Sequence, residues 1–108
     1  MKAGQLRYVI KIEKRKDVVS PAGQSKATWS SFANSVPASF EPARGREYFE
    51  AKAMTVVNAA AFKIRYKAGV VPEMRIIFRD QIWDIADVEE IGRNVGMILY
   101  CATGLTEG

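Results

Sequence analysis

The chain has no histidine and a single cysteine, Cys101. Without histidine the commonest general base is missing, so acid–base chemistry would have to rest on carboxylates, lysine or tyrosine. One cysteine makes no internal disulfide, and with no imidazole beside it no Cys/His metal cage can be assembled. Also missing is any run of about 18 apolar residues that could span a membrane. The opening residues, Met1 to Arg7, carry neither the apolar core nor the cleavage site of a signal peptide. The product is therefore expected to be soluble, unprocessed and at home in a reducing cytoplasm, with no membrane partner.

What is present is the composition of an ordinary globular domain: 108 residues, 48% hydrophobic, 26% charged, with 8 Gly and 4 Pro. That length suits one domain with one modest core. Sixteen Lys and Arg against twelve Asp and Glu leave a net charge of +4, which permits contact with phosphate without demanding it.

Apolar residues at spacing two mark most of the chain. Leu6, Tyr8, Ile10 and Ile12 alternate with charged residues and predict a first strand over 6–14. Val36, Ala38 and Phe40 predict a second over 32–40, with Pro37 confined to an edge or bulge because it lacks an amide donor. Ala60, Phe62, Ile64 and Tyr66 give the third, and place Tyr66 on the buried side with Phe62. Residues 75–78 and 82–88 flank Arg79-Asp80-Gln81 as a tight hairpin, and Met97, Leu99 and Cys101 alternate in a sixth strand that is apolar on both faces. After Glu41-Pro42, good helix formers over 44–54, with Phe49 and Ala53 as an i, i+4 pair, predict one short helix between strands 2 and 3. Between the first two strands, residues 15–30 hold Ser20, Pro21, Ala22, Gly23, Gln24 and Ser25, with Val18, Val19 and Trp29 as the few apolar anchors. This segment reads as a long exposed loop or a mobile hairpin. Six strands, one helix and no βαβ alternation describe a mainly β fold: a small antiparallel barrel or sandwich.

Candidate chemistry is sparse. Asp80, Asp84, Asp87, Glu89 and Glu90 form an acidic cluster of the kind that binds a divalent cation, but alternation with Trp83 and Ile85 makes Asp84 a solvent-facing strand residue, and the others are expected in or near turns. Cys101 lies in an apolar alternation, where a free thiol packs as a small hydrophobe. Gly92-Arg93-Asn94-Val95-Gly96 lacks the lysine and following helix of a phosphate loop and reads as a turn. The basic residues are more suggestive. Lys63, Arg65 and Lys67 share one face of the third strand, Arg44 and Arg46 open the helix, and Lys14, Arg15 and Lys16 end the first strand. Such a surface can track a nucleic-acid backbone, or simply keep a sheet face wet.

In succession these elements resemble a known family. Met1-x-x-Gly4-x-Leu6-Arg7 leading into Ile10-x-Ile12, then Gly23 and Trp29, then Ala38-Ser39-Phe40-Glu41-Pro42 before Arg44-Gly45-Arg46-Glu47 are similar to the phage head-tail joining proteins, also called head closure or stopper proteins. Ile64-Arg65-Tyr66, Arg75-Ile76 with Phe78, Trp83-Asp84-Ile85 and Leu99-x-Cys101 continue the likeness. Pro37, where the family commonly has an aromatic, and the lack of a glycine beside Asp80-Gln81 depart from it.

The resemblance implies a single non-enzymatic domain with no cofactor or metal, made in the bacterial host cytoplasm and built into the virion. It would form a ring with other copies of itself, between a portal or adaptor protein on the head side and a tail-completion or tail protein on the other. In that setting Lys63, Arg65, Lys67, Arg44 and Arg46 are candidates to face the DNA channel or its phosphates, with non-specific contact to packaged DNA. Val18, Val19, Pro21, Gly23 and Trp29 are candidates for subunit contact. Two other classes compete: a freestanding OB-like nucleic-acid-binding barrel, and, more distantly, a metal-dependent enzyme using Asp84, Asp87 and Glu89.

Overall fold

The computed structural model of the protein describes residues 6–104. The element order is β1 (Tyr8–Val19), β2 (Ser25–Ala38), α1 (Pro42–Ala51), β3 (Asn58–Arg65), β4 (Arg75–Phe78), β5 (Gln81–Ile91) and β6 (Gly96–Thr103). All pairings are antiparallel, in the order β1-β2-β3-β6-β5-β4, and β1 also pairs with β4, so the sheet closes on itself. The expected mainly β fold with one helix between the second and third strands is what forms.

The period-two pattern has a direct cause. Ile10, Ile12, Ala60, Phe62, Ile64, Ile76, Ile85, Leu99 and Cys101 all point into one interior and are at most 3% exposed. At one end of the interior Phe40, Phe62, Phe78 and Trp83 pack with ring centroids 5.1–5.9 Å apart. Edge-on and tilted packing of this kind adds to the area buried. The seam between β2 and β3 is short, with a single pair, Ala38 opposite Ile64. It is extended where Ser39 N–H donates to the Lys63 carbonyl at 2.9 Å, and where Lys63 N–H donates to Ser39 Oγ at 3.1 Å. Pro37 sits just before this seam, paired only with Val9 of β1, so its missing donor costs no ladder bond toward β3.

A second, smaller layer explains why β6 is apolar on both faces. Ala61, Ile98 and Tyr100, on the outer side of β3 and β6, are buried beneath Tyr48 of α1 and Ile91. The helix crosses β3 at Gly45, where a Cβ would lie 2.3 Å from the Ala60 carbonyl carbon. Glycine is there because the two backbones meet. The helix ends earlier than 44–54 suggests: Lys52 is its C-cap, Ala53 adopts φ 55°, and Met54 N–H returns to the Phe49 carbonyl at 2.9 Å. This is a Schellman-type stop that swings Ala53 into solvent, so the Phe49–Ala53 pair does not form.

Residues 15–30 are the largest difference from a loop. β1 and β2 remain paired from Lys14 opposite Ser30 out to Val19 opposite Ser25, which is the hairpin of the two alternatives. Alternation fails there because neither face is buried. β5 holds a second difference. A register shift between Ile85 and Asp87 places Ala86 as an extra residue. Ile85 and Val88 therefore face inward, while Asp87 and Glu89 lie on the strand's outer side and not in turns. Asp84, expected in solvent, is 7% exposed, flanked in register by Arg75 of β4 and Ala102 of β6.

Candidate functional site

The feature that stands out from the closed sheet is the arm made by the ends of β1 and β2. β4 covers β1 only from Lys11 to Glu13. Beyond that, six residues of β1 reach about 20 Å outward, partnered by β2 alone, and the molecule measures 50 × 29 × 27 Å. At the root Arg75 ties the arm to the sheet. Its Nε bonds Glu13 Oε1 at 2.7 Å, and its guanidinium lies 4.1 Å from the Trp29 ring centroid. Trp29 is thus half-buried at the arm's base, with one ring face taken by Arg75. At the tip Ser20 N–H donates to the Gln24 carbonyl and Gly23 takes φ 82° with Pro21 exposed beside it. Val18 and Val19 stand out at 45% and 68% exposure.

Opposed residues in an antiparallel pair share a face. Lys14, Lys16, Val18 and Lys26 therefore lie with Ser30 and Thr28 on one face of the arm. Arg15, Asp17 and Val19 lie with Trp29, Ala27 and Ser25 on the other, where Arg15 and Asp17 pair at 3.0 Å. One side is cationic and the other mixed and partly apolar. Pairing register, absent from the sequence pattern, is what reveals this division.

The five other basic candidates do not converge on one surface. Lys63 and Arg65 lie on the outer side of β3, half-buried and exposed, and Lys67 follows the strand. Arg65 and Lys67 line a shallow cleft of about 230 Å³ with Tyr66 and residues 34–37. Tyr66 is 38% exposed, because β3 ends at Arg65 and the alternation no longer governs it. Arg44 and Arg46 belong to α1, toward the Asn58 end of β3. Arg44 pairs with Glu41 at 3.3 Å, while Arg46 lines a separate cavity with Asn58 and Ala59.

The outer acidic residues hold the helix in place. Tyr48 and Tyr100 stack at 4.2 Å with their planes 14° apart. The Tyr48 hydroxyl donates to Asp87 Oδ2 and the Tyr100 hydroxyl to Glu89 Oε1, both at 2.8 Å. Among the described residues, no group of three or more His, Cys, Asp or Glu is placed to hold a metal ion. Burial and then the Glu89 carboxylate push the Tyr100 hydroxyl up to about 12, and burial with Asp87 raises Tyr48 as well. Because the folded protein keeps these protons longer than the unfolded chain, the associated stability is complete below about pH 10 and is lost as pH rises toward 12. An absorbance titration should show Tyr48 and Tyr100 ionising late, the late component shrinking in Tyr48→Phe and Tyr100→Phe, with the thermal midpoint falling over that window. Normal titration of Tyr48 and Tyr100 would show that the stacked pair does not form. Cys101 is fully buried, and burial followed by the nearby Asp84 charge raises its thiol well above the usual range, which leaves it unreactive.

The whole architecture has a counterpart in the solution structure of protein SF1141 from Shigella flexneri 2a, with a TM-score of 0.77 over 99% of this chain and 100% of that one. At 19% identity, that likeness concerns the fold alone. No curated protein matches the sequence. Residues 1–104 do match the family model described as phage head completion protein, so nearly the full length of the chain is accounted for, and the protein belongs to that family.

Proposed function

We propose that this protein is a structural connector subunit, assembling as a ring that closes the DNA-filled head of a tailed phage and joins it to the tail. Membership of the head completion family gives the broader structural role in the virion. The observation that carries the finer reading is the arm. A two-stranded ribbon with both faces in water is marginal on its own, and one that displays Val18 and Val19 gains stability from an adjacent copy. The ring then presents one end to a portal or adaptor protein and the other to a tail protein. Lys63, Arg65 and Lys67 contribute weak, sequence-blind attraction to packaged DNA, which salt removes. No catalytic role is assigned.

A nucleic-acid-binding barrel is not favoured. Such modules stack bases on exposed aromatics of the sheet, whereas here Phe62 is in the core, Tyr48 and Tyr100 stack on each other, and the exposed Tyr66 lies past the end of β3 and off the sheet. The test is to delete the gene from the phage that encodes it and add purified protein to the resulting heads. Heads that fill, leak DNA and accept tails only after the addition are the expected result. A block in replication or gene expression, with normal particles, would overturn the reading.

A further inference from the structure

The end of the barrel beside the helix start carries a cavity of about 380 Å³ that the connector reading has not used. Its lining joins three parts of the chain: Phe40 and Arg46 around the start of α1, Val57 and Asn58 entering β3, and Phe78, Arg79 and Trp83 of the β4–β5 hairpin. Three observations converge on it.

The first is one unpartnered, buried donor in the wall. The Trp83 side chain lines the cavity and is 4% exposed, yet its indole N–H has no hydrogen-bond partner. The second is charge. Among the described residues neither Arg46 nor Arg79 forms an ion pair and no carboxylate lines the cavity. The third is backbone strain. Arg79 and Asp80 both take positive φ, 52° and 60°, in the two-residue turn between Phe78 and Gln81. Such a turn prefers Asn-Gly, and arginine is costly there. The strained residue is the one whose guanidinium lies 5.2, 5.3 and 4.9 Å from the ring centroids of Tyr8, Phe40 and Phe78.

The geometry points to a docking cup for a partner protein's segment that carries a carboxylate next to a large apolar side chain. Three rings surround the Arg79 guanidinium carbon within 5.3 Å, and ring contacts use none of its N–H groups, which suit a planar two-oxygen acceptor. The aromatic floor and Val57, 80% exposed at the rim, suit the apolar neighbour. A duplex phosphate backbone matches the arginines but brings nothing for the floor. The proposal rests on the connector reading for the source of the segment, a neighbouring virion protein.

The test follows the indole N–H signals of the two tryptophans by NMR in the full-length protein, with Trp83→Phe supplying the assignment. An acetylated, amidated peptide containing a Leu-Glu pair should move the Trp83 signal saturably and leave Trp29 in place. Its Leu-Gln counterpart should bind at least about tenfold more weakly, the loss expected for one charge-assisted contact. Arg79→Gly, which relaxes the turn, and Arg46→Gln should each weaken the Leu-Glu peptide by a similar factor while the Trp29 signal reports an intact fold. No saturable shift, or equal binding of both peptides, overturns the proposal. A stronger response to inorganic phosphate or a short DNA duplex overturns it in favour of a phosphate site. In heads lacking the protein, wild type restoring tails while Arg79→Gly does not would support the cup. Failure of wild type itself would count against the connector reading and leave the peptide result standing.

Discussion

Gly45→Ala is expected to lower stability by about 2–3 kcal/mol, although alanine is the better helix former by about 1 kcal/mol. The added Cβ would sit 2.3–2.4 Å from three backbone atoms of Ala60, which cannot rotate away as a side chain can. Relief requires the helix to lift from β3, loosening Phe49 and the Tyr48–Tyr100 stack together. Thermal unfolding should fall by roughly 10–20 °C for a domain of this size. Gly23→Ala is the matched control: it also lies in a tight backbone position, φ 82°, but its Cβ would meet nothing within 4 Å, so its cost is limited to about 1–2 kcal/mol of left-handed strain. If Gly45→Ala instead raised the midpoint, the helix would not be seated on β3.

The second large effect concerns the arm. Replacing residues 17–27 by Asn-Gly keeps Lys16 opposite Thr28 and supplies the two-residue turn such a hairpin prefers. The sheet should fold as before, with stability changed by no more than about 0.5 kcal/mol, because the removed residues touch no core side chain. Particle formation should nevertheless fall to the level of phage lacking the protein. Amide exchange adds the mechanism: arm amides should exchange quickly in the free subunit and slow on assembly. Arm amides already protected in the monomer, or a normal yield of infectious particles from the shortened variant, would remove the arm from assembly.

These expectations follow from different depths of legibility. β3 could be read directly, since Ala60, Phe62 and Ile64 face one core and the intervening residues do not. The arm was ambiguous because a ribbon wetted on both faces leaves no periodic trace, and only backbone pairing extends it to Val19. The faces of Asp84 and Asp87 were hidden by the extra residue at Ala86, which reverses the alternation midway along β5. The basic residues can be listed from the sequence but not placed by it: β3 carries its two cations toward one end and the helix its arginines toward the other. The cup lay beyond any local pattern. It depends on positive φ at Arg79 and on residues from three separate segments, and a sequence offers only the missing glycine of the turn as a hint.

Imaging of completed particles by electron cryomicroscopy, focused on the vertex where head and tail meet, tests the connector role most directly. The account predicts several copies of this fold in a closed ring on the channel axis, each with its β1–β2 arm seated among neighbouring copies, Val18 covered on one face and Val19 on the other. Density for the protein elsewhere in the virion, or isolated subunits whose arms contact no neighbour, would contradict it.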